Sequence, residues 1–137
     1  MARFITFLFV VVLTSCSPNR EAKKETMPEL LPVQVQREWR LHDATMQPLE
    51  SAPESIRKLG AKAWLLAHYQ ANGTVTVRMA QLPAGTAFEA MQRWHDPSAL
   101  GFFKDDYFGT VESDRLTREE LAGFVQDLQQ NIKARSK

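Results

Sequence analysis

The side chains of this 137-residue chain that are suited to metal or acid-base chemistry are few and scattered. None of the three histidines, His42, His68 and His95, has a second histidine or a cysteine two or four residues away. Metal sites usually contain at least one such local pair. The adjacent Asp105 and Asp106 lie in a predicted turn, where aspartate is favoured because it bonds to nearby backbone groups. The sequence therefore predicts no metal site and no cofactor.

Nucleophilic catalysis has little support from motifs. An attacking serine, threonine or cysteine needs a base beside it, and the chain contains neither a Gly-x-Ser-x-Gly motif nor a catalytic-cysteine pattern. The net charge is +1, and no basic stripe of the kind that contacts phosphates is present. We therefore expect a protein that is not an enzyme and does not bind nucleic acid.

Aromatic residues are the remaining candidates for contacts with a partner or ligand. Trp39 lies on a partly polar predicted strand and Trp94 lies beside an arginine, so either could be at the rim of an interface, although packing in the core is the simpler interpretation. Phe103 and Tyr107 belong to an aromatic stretch, "GFFKDDYF". These four residues are the candidate contacts.

The only cysteine, Cys16, follows an apolar run that begins after Arg3. Residues 4–13, "FITFLFVVVL", form this run, which is about half of the roughly 20 residues that a membrane-spanning helix needs. A positive charge, a short apolar run and small residues before a cleavage point are typical of a secretory signal peptide. We therefore predict that residues 1–15 are an export signal that is removed.

The residues before the cysteine, "LTSC", resemble the lipobox of bacterial lipoproteins at every position. The resemblance covers the first sixteen residues. It implies that Cys16 becomes the mature N-terminus, is diacylated on sulfur and attaches the protein to a membrane. Ser17 stands where an aspartate would retain such a protein at the inner membrane. In a Gram-negative host the resemblance therefore implies an outer-membrane lipoprotein facing the periplasm.

The rest of the chain divides into a linker and one domain. Residues 16–32 contain three prolines and mixed charges with little apolar periodicity, which predicts a lipidated N-terminus and a flexible linker. Residues 33–137 have the length and composition of a single globular domain.

Local patterns in this domain predict five strands and three helices. We expect a strand over 33–41, a loop over 42–50 and a helix over 53–59. A hairpin with a two-residue type I′ turn should follow at Asn72-Gly73, and then a helix over 86–95 that begins with a Thr86–Glu89 capping box. A second hairpin follows in the aromatic stretch at 102–108. A last helix over 118–133, capped by Thr117 and Glu120, carries the apolar stripe Leu121, Phe124, Val125, Leu128 and Ile132.

The order β-α-β-β-α-β-β-α with two tight hairpins predicts an α+β fold. We expect a two-layer sandwich in which helices cover one face of a mostly antiparallel sheet of about five strands. The "FFKDDYF" hairpin and the "FEAMQRW" helix before it also resemble, weakly, an uncharacterised domain of secreted bacterial proteins, a resemblance that implies no activity.

The sequence leaves two functions to weigh. The first is a lipid-anchored interaction or scaffold domain that contacts another envelope protein. The alternative is a domain that binds a small hydrophobic or lipid molecule between the sheet and the helices, as the aromatic stretch suggests.

Overall fold

In this computed structural model, residues 26–133 are described. The predicted signal peptide, Cys16 and the first part of the predicted linker lie outside them. The helices are α1 Met27–Leu30, a 3-10 helix Leu49–Ser51, α2 Glu54–Arg57, α3 Thr86–Arg93 and α4 Arg118–Asn131. The strands are β1 Gln34–Val35, β2 Trp39–Gln47, β3 Ala63–Gln70, β4 Thr74–Gln81, β5 Leu100–Lys104 and β6 Tyr107–Ser113.

The six strands form one sheet in the order β1-β2-β3-β4-β6-β5, and every neighbouring pair is antiparallel. The sheet curls into a half-barrel. The prediction of an α+β fold with an antiparallel sheet is confirmed. The predicted five-stranded two-layer sandwich is wrong, because the described chain has six strands and helices on both faces of the sheet.

The first face of the sheet carries the larger core. Leu65, Ala67 and Tyr69 alternate along β3 and are fully buried beneath α1 and α4. Phe124 of α4 packs edge-on against Trp39 and Tyr69, with ring centroids 5.8 and 5.5 Å apart. The predicted stripe of α4 is confirmed, because all five of its residues are buried.

The second face carries a smaller core beneath α2 and α3. Trp64 and Phe108 point to this side, where they pack with Ile56 of α2 and Ala87 and Ala90 of α3. The central strands are therefore apolar on both faces at this end, so helices must cover both sides. The prediction of helices on one face only is corrected for this reason.

The predicted strand over 33–41 is interrupted by a turn. Gln36 and Arg37 adopt positive φ angles of 51° and 65°, which reverse the chain between β1 and β2. The carboxylate of Asp127 on α4 accepts a hydrogen bond from the Gln36 amide at 2.8 Å and holds the turn in place. The stretch after it, predicted as a loop, continues β2 as far as Gln47.

The hairpin around Asn72-Gly73 is confirmed, but its predicted two-residue type I′ turn is not. Gln70 pairs with Thr74, so three residues form the loop, and neither Asn72 nor Gly73 has a positive φ angle. At Gly73 the chain instead approaches the next loop closely, because a Cβ there would lie 2.8 Å from a carboxylate oxygen of the Asp114 side chain, which would have to shift.

The predicted helix ends are confirmed in part. Gly60, with φ of 89°, follows α2, and the Thr117 hydroxyl accepts a hydrogen bond from the Glu120 amide at 3.2 Å at the start of α4. The predicted capping box of α3 is wrong, because its N-cap is Gly85, with φ of 81° and no side-chain cap. Thr86 is the first residue of α3, so the helix begins one residue earlier than a Thr86 cap requires.

The folded domain begins before the predicted residue 33. Met27, Leu30 and Leu31 are buried in the first core, although their stretch was predicted to be linker. The Tyr69 hydroxyl donates a hydrogen bond to the Pro32 carbonyl at 2.6 Å, and burial raises the pKa of Tyr69 well above its ordinary value. The hydroxyl therefore stays protonated and keeps this segment on the core.

We predict that Gly109→Ala destabilises the domain by about 1–3 kcal/mol, the range for overpacking a core. A Cβ there would overlap the ring of Phe102 and come within 2.9 Å of the Arg78 carbonyl oxygen, which is backbone and cannot yield. Urea unfolding measures the change.

The matched control is Gly123→Ala in the middle of α4, where the new methyl would meet only the end of the Gln36 side chain at 3.1 Å. That variant should be neutral or up to about 1 kcal/mol more stable, because alanine favours helix. Equal stabilities for the two variants would contradict the packing described at Gly109.

Candidate functional site

The second face of the sheet is built from three rows of side chains that run across the strands. Their register follows from the pairing of β2, β3, β4, β6 and β5. The apolar row is Gln47, Trp64, Ala80, Phe108 and Phe103; the middle row is Thr45, Leu66, Arg78, Thr110 and Gly101; the polar row is Asp43, His68, Thr76 and Glu112.

Helices α2 and α3 pack over the apolar row, whereas the polar row stays open. Thr76 and Glu112 are half-buried, and Asp43 is exposed. Among the described residues the second face therefore changes, along the strands, from a covered core to a half-exposed polar surface.

Two cross-strand ion pairs organise this surface. His68 Nδ1 lies 2.6 Å from Asp43 Oδ1, and the two side chains are 32% and 47% exposed. The Arg78 guanidinium pairs with the Glu112 carboxylate and so joins the middle row to the polar row. Because each pair spans neighbouring strands, four charged or polar side chains are held in fixed positions.

A cleft of about 200 Å³ opens where the helices stop covering the sheet. Trp64, Phe108 and Thr110 line it from the sheet, Ile56 from α2, and Trp94 from the residue after α3. Three charged side chains also line it: Arg78, Asp96 and Glu112. We refer to this site as the aromatic cleft.

The loop between α3 and β5 positions one wall of the aromatic cleft. Trp94 donates its indole N–H to the Ala99 carbonyl at 3.1 Å, and its ring lies 5.8 Å from that of Phe108. Asp96 Oδ1 accepts hydrogen bonds from the Ser98 hydroxyl at 2.6 Å and the Ser98 amide at 2.8 Å. These bonds hold the pKa of Asp96 below its ordinary value, so the carboxylate is charged at neutral pH.

The four predicted contact residues do not come together. Trp39 is only 5% exposed and packs on Phe124, and Tyr107 is buried in the same first core. Phe103 is half-buried on the second face. Of the four, only Trp94 lines the aromatic cleft.

The aromatic stretch is divided between the two faces of the sheet. Phe102 and Tyr107 point to the first face, and Phe103 and Phe108 point to the second. Phe103 instead packs edge-on against the half-exposed Phe88 of α3, with ring centroids 5.4 Å apart.

The other titratable groups noted in the sequence stay apart. His42 and His95 are exposed, and the aromatic cleft is lined by neither of them nor by His68. Asp105 and Asp106 form the β5–β6 turn, as predicted. Within residues 26–133, no three histidine, cysteine or acidic side chains are placed to hold a metal ion.

The chain also contains one Ser-x-x-Lys tetrapeptide, Ser55 to Lys58, in α2 and just after it. Both side chains are exposed, and Lys58 pairs with Glu54 at 3.4 Å. A lysine base needs a desolvated site beside its serine. This tetrapeptide therefore lies on the surface of α2 and outside the aromatic cleft.

Comparison with known proteins adds no relative from which a function could be transferred. No protein-family model, curated protein or solved structure matches this chain. Separately, none of the helices within residues 26–133 is long and apolar enough to cross a bilayer. The functional argument therefore depends on the residues and the geometry alone.

Sequence reasoning missed both ion pairs because their partners are distant along the chain. Asp43 and His68 are 25 residues apart, and Arg78 and Glu112 are 34 apart. The sequence predicts the Asn72-Gly73 hairpin, which places His68 opposite Thr76. The sequence did not predict that β2 pairs with β3, because most of β2 was expected to be a loop.

We predict that Ser98→Ala raises the pKa of Asp96 toward its ordinary value, because the hydroxyl that bonds to the carboxylate is lost. NMR titration of the aspartate carboxyl carbons measures it. Because the pKa of Asp96 is lower in the folded protein than in the unfolded chain, its carboxylate stabilises the fold at pH values above the unfolded-state pKa. This stabilisation is lost as the pH falls through the folded-state pKa. The variant should therefore be weakened at neutral pH and match the wild type in strong acid.

Ser55→Ala is the control, since Ser55 is an exposed serine remote from Asp96 in sequence and outside the aromatic cleft. It should leave the Asp96 titration unchanged. An unchanged Asp96 pKa in Ser98→Ala would contradict the role given to the Ser98 hydroxyl.

Proposed function

We propose that this chain is a bacterial lipoprotein whose domain is a non-enzymatic interaction module at the cell envelope. The export pattern and the "LTSC" sequence support lipid attachment at Cys16. Two acyl chains on one cysteine give stable membrane attachment, whereas a single chain gives only marginal binding. In a Gram-negative host we place the protein on the outer membrane, facing the periplasm.

A short connection then keeps the domain near the membrane. Residues 17–25 separate Cys16 from Thr26, the first described residue. Nine residues span at most about 30 Å. This reach is shorter than a linker extending to residue 32 would allow, because α1 is already part of the folded domain. A partner should therefore be another envelope protein that lies close to the same membrane.

The open polar row on the second face is the observation that carries the docking proposal. Asp43, His68, Arg78 and Glu112 are held by cross-strand pairs before any partner binds, so less side-chain freedom is lost on association. Charges fixed in this way select partners with the complementary charge pattern. We propose that a folded envelope protein docks here.

The arrangement of titratable groups favours binding over catalysis. The aromatic cleft is not lined by His68, although His68 has a carboxylate partner. His68 instead lies in the open polar row, where water has access and electrostatic effects on a reacting group are weak. A cleft that gathered His68, His95 or Asp106 would have favoured an enzyme, and none of these three lines it.

The alternative function, binding of a lipid or another hydrophobic molecule, receives less support. The aromatic cleft has a volume of about 200 Å³, below the roughly 300 Å³ at which pockets for drug-sized ligands begin. Three charged residues also line it. The aromatic stretch that motivated this alternative is packed into the two cores.

We predict that the tagged full chain recovers the same envelope protein repeatedly from mild-detergent extracts of native membranes. Thr76→Arg, in the centre of the polar row, should reduce recovery about tenfold, as a single substitution near the centre of an interface does. Recovery is quantified by mass spectrometry.

Gln126→Arg is the matched control, because it adds the same charge to an exposed position of α4 and away from the second face. It should recover the partner as the wild type does, and both variants should have the same melting temperature as the wild type. Repeated recovery of no envelope protein, or equal recovery by Thr76→Arg, would contradict the docking proposal.

A further inference from the structure

The aromatic cleft combines aromatic surfaces with negative charge. Trp64 and Trp94 line it together with Phe108, and the tilted packing of Trp94 on Phe108 fixes one wall. The faces of indole rings attract cations, and tryptophan does so more strongly than tyrosine or phenylalanine. Two indoles in one cleft are therefore suited to a positively charged group.

The charges in the cleft are not balanced. Arg78 and Glu112 already pair with each other, which leaves Asp96 as the carboxylate without a cation among the residues that line the cleft. Both hydrogen bonds that Asp96 accepts, from the Ser98 hydroxyl and amide, involve Oδ1. A carboxylate can accept at both of its oxygens, so Oδ2 is available to a bound cation.

Size and wall chemistry limit the occupant further. The volume of about 200 Å³ suits a group of the size of one amino-acid side chain. Ile56 and Pro53 add an aliphatic side to the aromatic one. An occupant should therefore carry a short apolar part that lies along these walls and one positive group that reaches Asp96.

We propose that the aromatic cleft binds a small organic cation, an alkylammonium or guanidinium group on a short apolar chain. The positive group lies against Trp94 and pairs with Asp96, and the apolar part contacts Trp64, Phe108 and Ile56. This inference rests on the cleft alone and does not require the docking proposal. The cation is either a free amine or a lysine or arginine side chain of a bound protein.

The chain's three tryptophans allow a test with an internal reference. We would titrate the full chain in detergent with n-butylammonium chloride and follow the three indole N–H signals by NMR. The signals of Trp64 and Trp94 should shift and saturate in the millimolar range. The signal of Trp39, which belongs to the first core and does not line the aromatic cleft, should stay in place.

The role of charge is tested with a neutral ligand and with a variant that removes the charge of Asp96. Butanol, which is similar in size and neutral, should give no saturable shift. Asp96→Asn, which keeps the side-chain shape, should weaken binding about fivefold at low salt, the upper end for an exposed ion pair, and added salt should reduce that difference. Glu89→Gln, which removes an exposed charge outside the cleft, should bind as the wild type does.

Two further ligands distinguish the sources of the cation. A blocked Gly-Lys-Gly peptide that binds, when its acetyllysine form does not, supports a side chain of a partner protein. Binding of n-butylammonium without binding of the peptide supports a free amine.

Three results would overturn the proposal: no saturable shift of Trp64 and Trp94, equal binding of butanol, or wild-type affinity in a folded Asp96→Asn chain. Because the titration uses no partner protein, its failure would leave the membrane-capture experiment unaffected, and failure of that capture would leave this one unaffected.

Discussion

The central hairpin of β3 and β4 must bury apolar side chains on both of its faces, and the rest of the structure depends on this constraint. On the first face Leu65, Ala67 and Tyr69 alternate with the inward residues of β4, and α4 is long enough to cover them all. On the second face the apolar residues occupy one end only. Two short helices cover that end, and the other end of the same face stays polar.

The candidate sites follow from this unequal coverage. Where α2 and α3 end, the sheet passes from buried Trp64 and Phe108 to half-buried Arg78 and Glu112. The aromatic cleft lies at that border, because a helix that continued over the middle row would fill it. Beyond it, antiparallel register places four polar residues side by side. Cross-strand pairing, more than any motif, therefore creates the surface to which we assign function.

Elements defined by local rules were predictable, and those defined by distant contacts were not. The stripe of α4 and the Thr117 cap can be predicted because their partners lie within one or two helical turns. The break at Gln36 and Arg37 could not be predicted, since an acidic side chain 91 residues away holds that turn. The position of Gly73 shows the same limit. Its type suggested a positive φ angle, whereas the structure shows a close approach by the Asp114 side chain from the start of the β6–α4 loop.

Among the candidate contact residues, Trp94 shows what the sequence can indicate about a site. Its place beside Arg93 separated it from Trp64, which an apolar strand marks as core. Trp39 has a similarly mixed neighbourhood, yet it is buried because α4 reaches back over β2 to contact it. Such long-range coverage decides whether an aromatic residue belongs to a core or to a cleft, and local composition does not contain that information.

We propose that a membrane anchor at Cys16 carries a domain with an open second face and so determines where that face is presented. Intact mass of the protein purified from its host membranes, measured beside a Cys16→Ala variant, tests this most directly. We expect loss of residues 1–15, added acyl mass on the remaining chain, and no processing of the variant. A mass equal to that of the unmodified chain would contradict it.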